Sequence, residues 1–84
     1  MPPFHWEPQL TRFAVELIAQ LTARRKHLGY TQNQLCEKIG IADGLIGKWE
    51  TGLRKPSSFL FFCWVDALQC DIIIKEKDNR KIQS

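Results

Sequence analysis

Residues 29–52 read GYTQNQLCEKIGIADGLIGKWETG, and this stretch decides the fold. Gly29, Gly40 and Gly52 divide it into short segments, because glycine commonly ends a helix in the left-handed conformation. Thr31 is the expected N-cap of the first segment, which predicts a helix of only about two turns. Helices this short are unstable alone, so the rest of the sequence must supply neighbours for them.

Those neighbours are segments with apolar residues at helical spacing on both sides. From Leu10 onwards the spacing predicts a first helix of about 15–18 residues. Ala42–Glu50 predicts a third helix. Phe59–Leu68 predicts a fourth, capped by Ser57 or Ser58 and apolar nearly all round, which suggests that a partner covers part of it.

The pattern changes after Gln69, where Asp71–Lys75 contains three consecutive isoleucines and predicts a short β-strand. A single strand in a helical chain has nothing to pair with, so it is either disordered or paired with the same strand of a second copy. The predicted organisation is an N-terminal arm over 1–9, a helical domain over 10–69, a dimerisation strand over 70–78 and a flexible tail over 79–84.

Length and composition exclude several classes of protein. Eighty-four residues allow one small domain, and no arrangement of His, Cys and carboxylates suggests catalysis or a metal site, so we expect no enzyme, cofactor or metal. The three cysteines cannot all pair and no signal peptide precedes them, which predicts reduced thiols and a cytoplasmic protein. The longest apolar run, Phe59–Val65, is far shorter than the ~20 residues that cross a bilayer, so we expect no membrane contact.

The positive charge of the chain is local. The whole chain carries +3, but residues 24–55 hold seven basic and three acidic side chains, a net charge of +4. A basic centre around two short helices joined by a tight turn is typical of a DNA-binding helix-turn-helix.

The residues of this centre support that interpretation. Residues 29–41 and 46–57 resemble the phage-repressor (Cro/CI, XRE-type) helix-turn-helix family, whose pattern is G-x-T-Q-x-x-L-A-x-x-x-G, then I-x-x-W-E-x-G and a basic loop ending in P-S. The likeness covers residues 13–70 without an insertion. It implies an all-α, four-to-five-helix lambda-repressor-like domain with one short C-terminal β-strand for dimer pairing. It also implies a sequence-specific transcriptional regulator, a small dimeric repressor of phage or mobile-element origin on a palindromic double-stranded DNA operator.

The resemblance assigns DNA contacts to individual positions. Contacts to the DNA backbone fall on Gln32, Lys48, Arg54 and Lys55. Contacts to bases fall on Asp43, Gly44, Leu45 and Lys48. Asp43 suits a cytosine amino group and Lys48 a guanine. Gly44 and Gly47 have no side chain with which to read a base, so we expect much of the affinity to come from backbone contacts.

The resemblance also implies two structural contacts. Arg25 and Glu50 match the family positions that form a partly buried ion pair between the first and third helices. The C-terminal strand resembles that of antitoxin-type members, in which two chains pair strands across a two-fold axis. The hypothesis is a homodimer whose interface comprises Ile72, Ile73, Ile74, Trp64 and Phe61.

Two alternative functions stay open. An antitoxin would repress its own operon and also bind a protein toxin, for which the arm Met1–Pro8 offers aromatic contacts. A helix-turn-helix module adapted to protein or RNA would not use Gln32 and Lys48 to bind duplex DNA. Co-purification with a neighbouring gene product distinguishes the first alternative, and the salt dependence of duplex binding distinguishes the second.

Overall fold

The computed structural model describes the backbone of residues 7–76 and the side chains of residues 12–76. Within this range the chain forms four helices: α1 (Glu7–Leu28), α2 (Gln32–Ile39), α3 (Leu45–Thr51) and α4 (Ser58–Ala67). The predicted all-helical fold is therefore confirmed, with four helices in this range. Residues 70–76 are neither helical nor paired as a strand in the single chain, so the C-terminal strand stays a prediction. No helix among the described residues is long and apolar enough to span a bilayer.

The boundaries of α2 agree with the local signals in its sequence. The Thr31 side chain accepts a hydrogen bond from the Gln34 backbone N–H, and the Gln34 side chain accepts one from the Thr31 N–H, which completes a capping box. At the other end Gly40 has φ 90° and donates its N–H to the Cys36 carbonyl at 2.8 Å. A helix leaves the N–H groups of its first turn and the carbonyl groups of its last turn without partners inside the helix. In α2 both sets thus gain some of their hydrogen bonds.

Two helices begin at different residues from those the sequence predicts. α1 starts at Glu7 instead of Leu10, because Pro8 is tolerated in a first turn, where its missing N–H has no helical acceptor. α3 starts at Leu45 and not at Ala42, because Gly44 is its N-cap with φ 88°, a left-handed conformation that breaks the helical run.

The core lies where α2, α3 and α4 meet α1. Trp49 of α3 and Trp64 of α4 are buried at its centre, with ring centroids 5.2 Å apart and planes tilted by 45°. The fully buried aliphatic and sulfur-containing side chains around them are Leu35, Cys36, Ile46 and Leu68. Offset aromatic pairs of this kind add to the stability that burial alone provides.

The burial of Trp64 corrects its predicted place at a dimer interface. Its side chain is only 1% exposed, and it contacts Trp49 and, edge to face at 6.3 Å, Phe61. Trp64 therefore belongs to the core of one chain and offers no surface to a partner, whereas Phe61 is half-buried and still reaches the surface.

A buried ion pair joins α1 to α3. Arg25 Nε donates to Glu50 Oε2 at 2.7 Å and Arg25 Nη2 donates to Glu50 Oε1 at 3.1 Å. Arg25 Nη1 also donates to the Tyr30 carbonyl at 2.7 Å, on the loop that leads into α2. The two side chains are 9% and 6% exposed. A two-pronged contact between a guanidinium and a carboxylate fixes their relative orientation as well as their distance.

The N-cap of α4 provides a first test of the fold. The Ser57 hydroxyl accepts a hydrogen bond from the Leu60 N–H at 3.2 Å, which identifies Ser57, of the two candidates, as the cap. Ser57→Ala should lower the free energy of unfolding by about 1 kcal/mol in urea titrations. The matched control is Ser58→Ala, in the first helical position, which should stay within about 0.5 kcal/mol of wild type; equal effects of the two substitutions would contradict the assignment.

The ion pair provides a second test. Glu50→Ala should lower the free energy of unfolding by about 3–5 kcal/mol, because it leaves the Arg25 guanidinium buried without its counter-charge. The control is Glu37→Ala on the exposed face of α2, which should have an effect below about 0.5 kcal/mol. Urea unfolding followed by tryptophan fluorescence measures both, and similar stabilities of the two variants would show that the pair is not structural.

Candidate nucleic-acid interface

Side chains of α2 hold the beginning of α3. Gly44, the N-cap of α3, has no side chain with which to cap its own helix. Asn33 Oδ1 accepts the Gly44 N–H at 3.0 Å, and Cys36 Sγ accepts the Ile46 N–H at 3.5 Å. The orientation of α3 relative to α2 is therefore set by hydrogen bonds across the turn as well as by packing.

The sequence alone does not predict that Asn33 and Cys36 accept hydrogen bonds from the backbone of α3. Asn is a favoured capping residue, but Asn33 caps a helix whose N-cap lies 11 positions further along the chain. Capping rules consider only residues at the helix end itself. Cys36 stands where the family pattern has alanine, and only the fold shows that its sulfur meets a backbone N–H that would otherwise lack an acceptor.

Gln32 is attached to the ion pair. It is the first residue of α2 and exposed. Its Nε2 donates to Glu50 Oε1 at 2.9 Å, so the same carboxylate binds Arg25 from one side and Gln32 from the other. Gln32 thus joins α2 to the end of α3 at the surface, beside the N-terminus of α2; the unpaired N–H groups at a helix N-terminus generally favour anions.

The four candidates for base contacts lie at the start of α3 and one turn into it. Asp43 and Gly44 are exposed in the turn before the helix, and Lys48 is exposed on the helix itself. Leu45 is half-buried and packs against the core, so only part of its side chain is accessible. With seven residues α3 is about 10 Å long, a length that fits within a DNA major groove.

The basic loop follows α3 directly and folds back onto it. Arg54 and Lys55 are both exposed, and the Arg54 N–H donates to the Lys48 carbonyl at 3.2 Å. Among the residues that the structure describes, none of these three cations forms an ion pair. The structure therefore brings Lys48 and Arg54 together at the C-terminal part of α3, with Lys55 next in the chain.

Other basic side chains have contacts within the fold. Arg24 Nε donates to the Leu68 carbonyl at the end of α4 at 3.0 Å. Lys38 Nζ lies 5.9 Å from the centre of the Tyr30 ring, a cation–π distance. The cations of the α3 end are thus distinct from those that stabilise the helices. In the described part of the chain, no three His, Cys, Asp or Glu side chains are grouped so as to bind a metal ion.

Comparison with known proteins agrees with this geometry. A family model described as helix-turn-helix matches residues 21–73, which include all of α2, α3 and α4. Neither a curated protein nor a solved structure matches the chain. The matched family consists of DNA-binding transcription regulators of the XRE type. With two short helices at a tight turn and a basic loop behind the second, and with the family model covering more than half of its length, this chain belongs to the Cro/CI-type (XRE) helix-turn-helix family.

Proposed function

We propose that this protein is a small repressor of transcription, of phage or mobile-element type, which binds a palindromic double-stranded DNA operator as a homodimer and places α3 in the major groove. The observation that carries the proposal is the surface formed by Lys48, Arg54 and Lys55. These three exposed cations follow one another from α3 into its loop, with no acidic ion-pair partner among the described residues.

Most of the binding free energy comes from the DNA backbone in this proposal. Each lysine or arginine that meets a phosphate releases condensed counterions, and this term does not depend on base sequence. Gln32 adds a neutral contact beside the N-terminus of α2, where backbone N–H groups already favour an anion. These contacts fix the position of the protein on the duplex.

Only a few side chains are available to recognise the bases. Asp43 accepts from a cytosine amino group, and Lys48, whose ammonium has three hydrogens, donates to guanine O6 or N7 as well as to a phosphate. The accessible part of Leu45 can contact a thymine methyl group, while Gly44 contributes only its backbone. With so few side chains available, sequence-dependent DNA shape contributes to the choice of operator.

The homodimer accounts for apolar surface that a single chain leaves exposed. Ile72, Ile73 and Ile74 are 52%, 82% and 90% exposed. They border a groove of about 720 Å³ between α1, α4 and the C-terminal segment, which Phe61 and Val65 also line. Pairing of this segment with the same segment of a second chain satisfies its backbone hydrogen bonds and covers the isoleucines.

The antitoxin alternative depends on the N-terminal arm as a contact for a toxin. Residues 1–6 of that arm lie outside the residues that the structure describes. Binding of a toxin therefore stays a prediction from the sequence, and no contact of α1–α4 favours it over the repressor.

Salt dependence tests the proposed DNA contacts. Duplexes selected from a random library by the wild-type protein should bind with an affinity that falls linearly with salt on logarithmic axes. Lys48→Ala and Arg54→Ala should each reduce the steepness of that line by about 0.9 per bound chain, because each removes one phosphate contact. Lys26→Ala, an exposed cation of α1, is the control and should leave the slope unchanged.

Three results would contradict this function. Failure of the selection to enrich any duplex, or wild-type binding that does not depend on salt, would instead support a module for protein or RNA. Equal slopes for Lys48→Ala, Arg54→Ala and Lys26→Ala would show that the cations of α3 and its loop do not face the phosphates.

Sedimentation tests the proposed dimer. Wild type should sediment as a dimer at micromolar concentration, and Ile73→Asp should sediment as a monomer, because a carboxylate in a paired apolar strand is costly to bury. The monomer should keep the helical circular dichroism of wild type, since the Ile73 side chain is largely exposed in the single chain. Ser58→Asp, an exposed position on α4, adds the same charge as a control and should stay dimeric. A wild-type monomer would overturn the dimer.

A further inference from the structure

Gly47 occupies a helical position that does not need glycine for its backbone. It lies inside α3, and unlike Gly44 and Gly52 it has no positive φ. Glycine in a helix interior lowers helix stability relative to alanine, because its backbone loses more conformational freedom on folding. A helix as short as α3 is only marginally stable, so the lower stability that glycine causes is a substantial cost. This suggests that the missing side chain serves another purpose.

The space beside Gly47 is filled by the side chain of Gln32. A Cβ atom at position 47 would lie 3.0 Å from Gln32 Oε1 and 3.6 Å from Gln32 Cδ. The first distance is shorter than an ordinary carbon–oxygen contact, so even an alanine would require Gln32 Oε1 to move by a few tenths of an ångström. Gln32 is exposed and can yield, which means that such a change displaces the side chain without disturbing the core.

The position of the carboxamide matters because of its second contact. Gln32 Nε2 donates to Glu50 Oε1 at 2.9 Å, and Glu50 is itself held by Arg25. The Gln32 carboxamide thus lies between α3 at Gly47 on one side and the Arg25–Glu50 ion pair on the other. Nε2 carries two hydrogens, and within the described residues one of them has an acceptor.

We propose that Gly47 is a positioning residue for the contact between Gln32 and a DNA phosphate. The absent side chain lets the Gln32 carboxamide lie against α3, where Glu50 orients it and leaves one Nε2 hydrogen for a phosphate oxygen. An already ordered side chain loses less rotational freedom on binding than a mobile one. The inference rests on the proposed function, because it assigns a partner to Gln32.

This role differs measurably from that of the cations. A neutral carboxamide releases no counterions, so displacing it lowers the affinity at every salt concentration without changing the slope. A substitution that moved α3 as a whole would displace Lys48 and change the slope as well. The substitution favours the folded helix but weakens the hydrogen bond from Gln32 to Glu50, so stability should change little while affinity falls.

The experiment compares wild type with Gly47→Ala, Gln32→Ala and the double variant on a fluorescein-labelled duplex carrying the site that wild type selects. Gly47→Ala should weaken binding by up to about tenfold per bound chain, the effect of losing a hydrogen bond to a charged group in full, with an unchanged salt slope. Its melting temperature should change little, because the gain in helix propensity is offset by the weakened hydrogen bond from Gln32 to Glu50. The double variant should bind as Gln32→Ala does, because the effect of position 47 acts through Gln32.

Thr51→Ala is the control on the same helix. The Thr51 hydroxyl donates only to carbonyls of α3, so this variant should retain wild-type affinity.

Three results would overturn the inference. One is a Gly47→Ala variant that binds the duplex with wild-type affinity. Another is a Gly47→Ala substitution that weakens binding by the same factor in the wild-type protein and in the Gln32→Ala variant. The third comes from NMR without DNA: the side-chain amide resonances of Gln32 should shift in Gly47→Ala, and unchanged resonances would show that Gly47 does not position it. A wild-type protein that binds no duplex would overturn the proposed function and the DNA role of Gln32 together, whereas the NMR result tests the positioning separately.

Discussion

The contact between Arg25 and Glu50 is the interaction on which the rest of the structure depends. Arg25 donates to both carboxylate oxygens and to the Tyr30 carbonyl, so one guanidinium joins α1, the loop before α2 and α3. Glu50 in turn accepts from Gln32 at the surface. A charge pair this buried is stable only when its hydrogen bonds are satisfied, and here the carboxylate that completes the core also orients a residue of the proposed DNA-binding surface.

The two short helices are stable because each one is held by groups outside itself. α3 has seven residues, and its first turn is capped by Asn33 and Cys36 of α2. Its far end is fixed through Glu50, and its middle packs Ile46 and Trp49 into the core. Because a helix of this length does not persist alone, the geometry of the exposed residues on α3 follows from these external contacts.

The small core also explains the exposed apolar residues at the C-terminus. Trp49 and Trp64 fill the centre of the domain, and a chain of this size has few helical faces left to cover Ile72, Ile73 and Ile74. In the proposed dimer those residues become a second apolar region shared between two chains. In that proposed dimer the same arrangement would set the spacing of the two copies of α3, as two half-sites of an operator require.

Local chemistry in the sequence was enough to predict four helical segments and the ends of α2, because capping residues and glycines act within one helix turn, and the motif pattern was enough to indicate the family. The Arg25–Glu50 pair was expected only from the resemblance, and the fold brings the two residues together. Only the tertiary structure decided that Trp64 lies inside one chain and that Asn33, Cys36 and Gly47 support the proposed site. Each of these depends on residues that are distant in sequence and meet only after the helices pack, which no local pattern encodes.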